Sequence, residues 1–351
     1  MTLVPLTTAA QSPDERCRTI ESADMPRSIS ELFDTAVAEM GDAALWTFFD
    51  DGITQGYAEV RKAVARTANA LRSWGVGKGD HVAVMLPNIP TTPVVWLALA
   101  RLGAVSVPVN IRYSQRELRY VVDDSDAGHL LIHRDCAHLL DTGDHPAILP
   151  TDRIRIVDGA DGAWSCEIAA ADPAMPPEAD VRPDDLMNIQ YTSGTTGFPK
   201  GCMLTHRYWL TSGMVNAWRD GRRFARILAP TPFTYMDPQW LLLMTFYQRA
   251  SLFVARRQSA TRFLTWLHDF RINFCLFPEA VTKQPPLPLD ADNEVIRANI
   301  YGIRPSAHAE IERRFGLVAR EAFGMTEVGS GMFVPMEATD MTGSGTCGRP
   351  S

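Results

Sequence analysis

The sequence predicts an α/β fold in which two βαβ subdomains hold mostly parallel sheets covered by helices. From Met25 onward, short apolar runs alternate with amphipathic runs, the pattern of buried strands with helices packed against them. The 351 residues are 46% hydrophobic and 21% charged, which is enough apolar material for two cores. No internal repeat or low-complexity tract interrupts the alternation.

We place the first subdomain at residues 27–183, after a tail at 1–26 that we expect to be disordered or loosely packed. The tail lacks the basic start and long apolar core of a signal peptide. Ser114 and Glu117 have capping-box spacing, which predicts a helix to about residue 124. The other elements predicted here are strands at 81–86, 105–109 and 129–132 and a helix at 92–102.

The stretch 141–185 is rich in Asp, Pro, Gly and Ala, which is typical of a connection between subdomains with one edge strand at 153–157. Alternation resumes in the second subdomain, placed at 184–335. Gly316 follows a helical run and predicts its C-terminal cap. The elements predicted here are strands at 186–190, 203–204, 226–229, 251–255, 272–277, 298–301 and 318–322 and helices at 206–218, 238–247, 261–270 and 306–315.

Charge and cysteine usage narrow the class of protein. A net charge of −7 gives no global basic field, so we expect no nucleic-acid partner. The most apolar segment, 93–108, contains Arg101 and is too short to span a bilayer. Six cysteines without metal-binding spacing are typical of reduced thiols, which predicts a cytoplasmic protein.

Residues 191–201, YTSGTTGFPKG, carry the strongest chemical signal. The stretch holds five hydroxyl side chains, three glycines, one lysine and no acid. Glycines let backbone N–H groups turn toward an anion, while hydroxyls and a lysine add donors and charge. A Walker A loop is excluded because Lys200 lies between Pro199 and Gly201. The stretch therefore predicts a polyphosphate-binding loop of another class.

This string resembles the phosphate-binding signature of the adenylate-forming superfamily, which includes acyl-CoA synthetases, adenylation domains and luciferases. A second match, Phe323 to Glu327 (FGMTE), resembles the family's aromatic-Gly-x-Thr-Glu motif about 130 residues later. The resemblance implies that Phe323 packs near adenine, Thr326 meets the α-phosphate and Glu327 binds magnesium. Thr326 and Glu327 are the catalytic residues that it implies. The nucleotide contacts that it implies are Thr192, Ser193, Gly194, Thr195, Thr196, Lys200, Gly302, Ile303, Arg304, Phe323, Gly324, Met325 and Thr326.

Two further segments bear on the acyl site. Gly302 and Pro305 resemble the family's Gly-Ala-Pro segment, although Ile303 and Arg304 are bulkier than usual. Residues 230–240 resemble the Pro-x-Phe-His segment, but the histidine that gates the acyl and CoA sites is replaced here by Thr234 or, with a one-residue shift, by Tyr235. A packed aromatic cluster is the alternative for this segment. The predicted acyl contacts are Phe233, Tyr235, Met236, Met214 and Gly302.

The resemblance implies an acyl-CoA synthetase N-terminal domain-like fold and an ATP-dependent carboxylic acid–CoA ligase that uses ATP, Mg²⁺ and coenzyme A. Two alternatives stay open: a member that binds a preformed acyl-adenylate, and a non-catalytic ligand-binding fragment. In the family the chain continues into a β-barrel and a mobile C-terminal domain. We therefore expect 336–351 to begin the barrel, and the chain as printed to be a binding half with little or no turnover. A homodimer is left open.

Overall fold

The computed structural model describes residues 5–143, 145–159, 161–192 and 199–350, and these residues build two sheets. The first sheet has six strands in the spatial order β6-β5-β3-β4-β7-β8. Its neighbours are parallel except for the antiparallel pair β7–β8 at one edge. Its strands are β3 (His81–Met85), β4 (Val105–Pro108), β5 (His129–His133), β6 (Ile154–Val157), β7 (Leu186–Thr192) and β8 (Lys200–Thr205).

The second sheet has nine strands in the order β15-β14-β13-β12-β11-β9-β10-β1-β2. Its six central strands are parallel, and antiparallel partners extend it at both edges. Its strands are β1 (Ala44–Phe48), β2 (Ile53–Gly56), β9 (Arg226–Ala229), β10 (Ser251–Val254), β11 (Phe274–Leu276), β12 (Arg297–Ile300), β13 (Ala319–Met325), β14 (Gly329–Phe333) and β15 (Arg349–Pro350).

Helices cover both sheets. They are α1 (Pro13–Glu21), α2 (Ile29–Met40), α3 (Tyr57–Ser73), α4 (Thr91–Leu102), α5 (Gln115–Asp124), α6 (Ala163–Ala170), α7 (His206–Trp218), α8 (Met236–Gln248), α9 (Phe263–Asp269) and α10 (Pro305–Phe315). Short 3-10 helices lie at Arg134–Leu140, Thr151–Arg153, Glu279–Val281 and Thr339–Met341. None of the described helices is both long and apolar enough to cross a membrane.

The largest buried cluster joins the two sheets through α2, α3, α4, α7 and α8. A second cluster packs α9 and α10 against the nine-stranded sheet, and a third packs α5 against the six-stranded sheet. Neighbouring residues Ile227 and Leu228 of β9 belong to different clusters, because successive side chains of a strand point to opposite faces. The predicted fold class, parallel sheets flanked by helices, is confirmed.

Local sequence signals explain several element boundaries. The Ser114 hydroxyl accepts from the Glu117 N–H, and the Glu117 carboxylate accepts from the Ser114 N–H at 2.7 Å, so the predicted capping box starts α5. Gly316 ends α10 with φ +60°, a left-handed conformation that glycine adopts without strain. The predicted edge strand at 153–157 is β6, at one edge of its sheet.

The two sheets do not follow the predicted subdomain boundary at residue 184. Strands β1 and β2, from the first predicted subdomain, belong to the nine-stranded sheet beside β10. Strands β7 and β8, from the second, belong to the six-stranded sheet beside β4. Strand pairing between distant segments leaves no mark in local periodicity, so a boundary drawn along the chain cannot separate the sheets.

A loosely packed tail does not describe residues 5–26. Ser12 and Glu15 form a capping box that starts α1, and the Arg16 side chain is fully buried. Its Nε donates to the Arg219 carbonyl at 2.8 Å, and its Nη2 lies 2.8 Å from the Glu337 carboxylate. The tail prediction missed this because α1 is polar on average and is anchored by one long cation.

The predicted connection at 141–185 and the C-terminal stretch at 336–351 also contain regular secondary structure. Helix α6 lies inside the 141–185 connection and buries Trp164. Strand β15 pairs antiparallel with β14 at the edge of the nine-stranded sheet. That 336–351 begins a β-barrel stays a prediction.

Candidate active site

The two ends of the predicted phosphate loop lie side by side. Strands β7 and β8 form an antiparallel ladder whose last pair is Thr192 with Lys200. The Tyr191 hydroxyl donates to the Asp124 carboxylate at 2.6 Å, which ties the ladder to α5. Lys200 is exposed and forms no ion pair with the part of the chain that the structure describes. Ser193, Gly194, Thr195 and Thr196, also predicted to bind phosphate, lie outside the described residues.

The FGMTE motif crosses the turn between β13 and β14. Met325 pairs with Gly329, so Thr326, Glu327 and Val328 form a three-residue connection, and Gly329 follows it with φ +70°. A three-residue hairpin loop commonly ends on a left-handed glycine. The turn presents Thr326 and Glu327 at the carboxyl end of β13, where open α/β sheets bind ligands.

Gly324 is required by close approach rather than by its backbone angles. A Cβ at this position would lie 2.6 Å from the carbonyl oxygen of Gly329. Any larger residue would therefore push β14 away from β13 and move the Thr326–Glu327 turn. The close approach of the two strands explains the glycine of the motif.

Glu327 lies beside the phosphate-loop hairpin. Burial raises the pKa of the Cys202 thiol, and the neighbouring Glu327 carboxylate raises it further, while a hydrogen bond with Thr192 opposes both effects. Cys202 is in β8 and Thr192 ends β7. The flank of the phosphate loop and the FGMTE turn, 130 residues apart in the sequence, are therefore neighbours.

A cleft of about 460 Å³ opens from this turn. A volume of several hundred Å³ is the normal size of a small-molecule site. Its walls combine aromatic, methionine and polar side chains from four segments. The lining residues are Asn216, Arg219, Met236, Asp237, Trp240, Tyr301, Ala322, Phe323, Gly324, Met325, Thr326, Gly329, Ser330 and Met332.

Of the predicted nucleotide contacts, Phe323, Gly324, Met325 and Thr326 line this cleft. Gly302 and Ile303 follow β12 instead, where their N–H groups donate to the Glu321 carboxylate at 3.2 Å each. Gly302 has φ +61°, and its neighbour Tyr301 lines the cleft in its place. Arg304 is exposed and lies 3.6 Å from the Glu279 carboxylate. These roles stay predictions, since a bound nucleotide would decide them.

The predicted acyl contacts are divided between the cleft and the core. Met236 lines the cleft, and its sulfur lies 3.8 Å from the Thr326 hydroxyl. Tyr235 is 49% exposed, with its hydroxyl 3.5 Å from the Asn110 amide. Phe233 and Met214 are buried in the large core cluster. Met214 is two residues from Asn216, roughly 200° around α7, so it faces away from the cleft.

One stripe of α7 faces β14. The Asn216 amide donates to the Ser330 hydroxyl at 2.6 Å, and a Cβ on Gly329 would lie 2.8 Å from the Ser212 hydroxyl. The Arg219 guanidinium carbon lies 4.8 Å from the centre of the Phe333 ring. Positions 212, 216 and 219 share one helical face, so α7 and β14 run alongside each other.

Arg219 lies in a buried polar cluster. Its Nη2 donates to the Asn299 side-chain oxygen at 3.1 Å, and Arg297 donates to the same oxygen at 2.7 Å. Arg297 also forms a fully buried ion pair with Asp220 at 2.8 Å. Burial, and then the charge of Arg297, lowers the pKa of Arg219 to about 10, so Arg219 remains cationic at neutral pH.

Asp237 is the acidic member of the cleft wall. Its carboxylate accepts from the Trp240 indole N–H at 3.2 Å, one turn further along α8. Burial raises its pKa, which favours the neutral carboxylic acid. Sequence reasoning missed Arg219, Asp237, Tyr301 and Asn216. Helical spacing on α7 relates Asn216 to Arg219, but this signal becomes informative only once the cleft is located.

Metal ligands are sparse around the cleft. The described residues contain no group of three or more His, Cys, Asp or Glu side chains placed to hold an ion. A lone exposed carboxylate such as Glu327 fits the way magnesium is usually held, by one or two carboxylates together with substrate phosphates. All six cysteines are free thiols.

Known families and proteins resemble this chain over most of its length. A family model described as AMP-binding enzyme matches residues 33–351. The chain is 26% identical over 328 residues to a crotonobetaine/carnitine–CoA ligase of Salmonella paratyphi C (strain RKS4594), covering 86% of this chain and 61% of the relative. It is 30% identical over 312 residues to 4-coumarate–CoA ligase-like 9 of Oryza sativa subsp. japonica, covering 84% of this chain and 56% of the relative.

Among solved structures, the inhibitor-bound N-terminal domain of FACL13 from Mycobacterium tuberculosis superposes with a TM-score of 0.81 at 21% identity. The match covers 93% of this chain and 82% of that domain. At this identity the likeness shows the fold. The chain thus spans about three fifths of the length of the curated relatives and about four fifths of that N-terminal domain.

Proposed function

Since this chain belongs to the AMP-binding enzyme family of the adenylate-forming superfamily, we propose that it forms the binding half of an ATP-dependent carboxylic acid–CoA ligase. The observation that carries the proposal is the meeting of Thr192 and Cys202 on the phosphate-loop hairpin with Glu327, whose neighbour Thr326 lines the cleft. Both curated relatives are CoA ligases by name, which supports a CoA thioester as the product.

The proposed reaction has two displacements. A carboxylate oxygen of the acid attacks the α-phosphorus of ATP, and the bond to pyrophosphate breaks to leave an acyl-adenylate. The CoA thiol, after losing its proton, then attacks the acyl carbon, and AMP leaves with the electron pair of the broken C–O bond. Neither step needs a covalent bond to the protein, so positioning and charge stabilisation are what the chain supplies.

Named side chains would supply these effects. The Thr326 hydroxyl, at the mouth of the cleft, would donate to the α-phosphate, and the exposed Lys200 ammonium would neutralise phosphate charge. Glu327 would hold magnesium, which would offset the negative charge of ATP when bound. The aromatic and methionine walls of the cleft would take the acyl group and exclude water from the adenylate.

Pyrophosphate release by a full-length ligase that contains this chain, as wild type and as Glu327→Gln, tests this proposal. The substitution keeps size and removes charge, so we expect the rate to fall by about 10²–10³, the usual cost of one transition-state contact. Binding of a neutral acyl-sulfamoyl adenosine should hardly change. Glu310→Gln, on the exposed face of α10, is the matched control. Equal rates for the two variants at limiting magnesium would contradict the role of Glu327, and absence of AMP and analogue binding would contradict the function itself.

A further inference from the structure

The far end of the cleft carries an unneutralised cation. Of the cleft-lining side chains in the described part of the molecule, Arg219 is the one positive group and Asp237 the one negative group. Arg219 is 2% exposed, yet no carboxylate lies within 4.0 Å of its guanidinium among the described residues. A buried charge without a partner is costly, so a feature of this kind calls for an explanation.

The neighbouring arginines are compensated, which sets Arg219 apart. Arg297 is paired with Asp220 at 2.8 Å, and Arg16 is paired with Glu337 at 2.8 Å. Arg219 shares the single Asn299 oxygen with Arg297, and its own Nε has no hydrogen-bond partner in the described chain. Arginine keeps its proton at neutral pH and therefore does not escape this cost. The cluster therefore has one positive charge more than it has carboxylates.

The alignment of α7 with β14 places Arg219 opposite the reacting end. Gly329 adjoins Ser212 next to the Thr326–Glu327 turn, and Phe333 adjoins Arg219 at the other end. From Gly329 to Phe333 the strand rises roughly 13 Å at about 3.3 Å per residue. From Ser212 to Arg219 the helix rises roughly 10 Å at about 1.5 Å per residue. An acid whose carboxylate reacts beside Thr326 therefore points its other end toward Arg219.

From this arrangement we propose that the cleft selects carboxylic acids carrying a second anionic or strongly hydrogen-bond-accepting group at their distal end, with Arg219 as its partner. The inference rests on the proposed function and names the substrate class for that site. Tyr301, which lines the same cleft and whose hydroxyl accepts from the Asn299 amide, supplies a further polar contact near that end.

Asp237 does not favour the opposite class, an acid with a cationic tail. Its carboxyl already accepts a hydrogen bond from Trp240 and can become neutral by taking up a proton. Arg219 has no such neutral state at physiological pH. The uncompensated group is thus the cation, and an anionic tail offsets it.

Three acyl-sulfamoyl adenosines test this inference by calorimetry. They share one linear acyl chain, long enough to cross roughly 10 Å, and end in a methyl group, a carboxylate or an ammonium. We expect the carboxylate-tailed compound to bind wild type at least about tenfold more tightly than the methyl-tailed one, because a buried charge-assisted hydrogen bond is a strong contact. Arg219→Gln should abolish that ratio while leaving binding of the methyl-tailed compound nearly unchanged.

The controls separate specificity from folding. Arg222→Gln removes an exposed arginine three residues away and should keep the wild-type ratio. Arg219→Lys keeps the charge and should retain part of this affinity ratio. The ranking of the three compounds on wild type tests the inference even where a variant does not fold. Equal or tighter binding of the methyl-tailed or ammonium-tailed compound to wild type would overturn the inference and leave the proposed function standing. Failure of all three compounds and of AMP to bind would overturn both.

Discussion

Arg16 anchors the N-terminal helix to the body of the protein, and its replacement by methionine measures that anchor. The Arg16 side chain is fully buried and donates to the carbonyls of Gln11 and Arg219 at 2.6 and 2.8 Å. It also lies 2.8 Å from the Glu337 carboxylate. Methionine matches much of the stem volume and supplies no donor.

The magnitude follows from what the substitution leaves behind. Two carbonyl oxygens lose a charged donor, and an unsatisfied buried polar group costs about 1–3 kcal/mol. Glu337 is 46% exposed on its side chain, so water replaces its lost partner at little cost. The variant also avoids the cost of burying a guanidinium, and this gain offsets part of the lost free energy of unfolding. We expect the free energy of unfolding to fall by about 2–4 kcal/mol.

Urea denaturation and hydrogen exchange provide the assay. Arg18→Met is the matched control, because Arg18 is exposed on the same helix. We expect Arg16→Met to lower the unfolding free energy and to speed amide exchange across residues 13–21, whereas Arg18→Met should do neither. If both variants unfold alike and exchange alike, α1 does not pack on the body, and the tail predicted from the sequence is the better description.

Two further predictions concern the cleft entrance and a buried histidine. In a full-length ligase that contains this chain, Tyr235→Ala should change acid preference or the thioester step more than pyrophosphate release, because Tyr235 is 49% exposed beside Met236 of the cleft wall. A lower melting temperature with unchanged kinetics would instead show a packing role. Burial lowers the pKa of His206 from 6.5 to about 4, so the unfolded chain binds the proton more readily and stability is lost as pH falls from about 6.5 toward 4. Urea titrations at several pH values should show about 3 kcal/mol of this loss in wild type and not in His206→Gln, and equal pH slopes would refute the assignment.

Much of the fold was predictable because its signals are local. Apolar periodicity located strands such as β9 and helices such as α7, and the capping box at Ser114 and Glu117 located the start of α5. The prediction of a loosely packed tail was wrong for residues 5–26 because the contacts that order this segment are not local. Helix α1 depends on Arg16 reaching Arg219 and Glu337, which are more than 200 residues away in the sequence.

The candidate site was likewise predictable only where its residues form local motifs. The phosphate-loop string and FGMTE were recognisable because each packs its chemistry into a few adjacent residues. Met214 was predicted to contact the acyl group because of its residue type, but the phase of α7 directs it into the core and brings Asn216 and Arg219 to the cleft. Arginine in a helix carries no signal of its own, so Arg219 was not recognised.

The fold class, the family and the two signature motifs could be predicted from the sequence. Tertiary structure alone decided that β1 and β2 join the nine-stranded sheet while β7 and β8 join the six-stranded one. It also decided that Glu327 meets Cys202, and that Arg219 reaches the cleft without a carboxylate of its own. Periodicity and motifs are properties of neighbouring residues. Strand partners, and the balance of charge in a cleft, are set by segments that meet only when the chain folds.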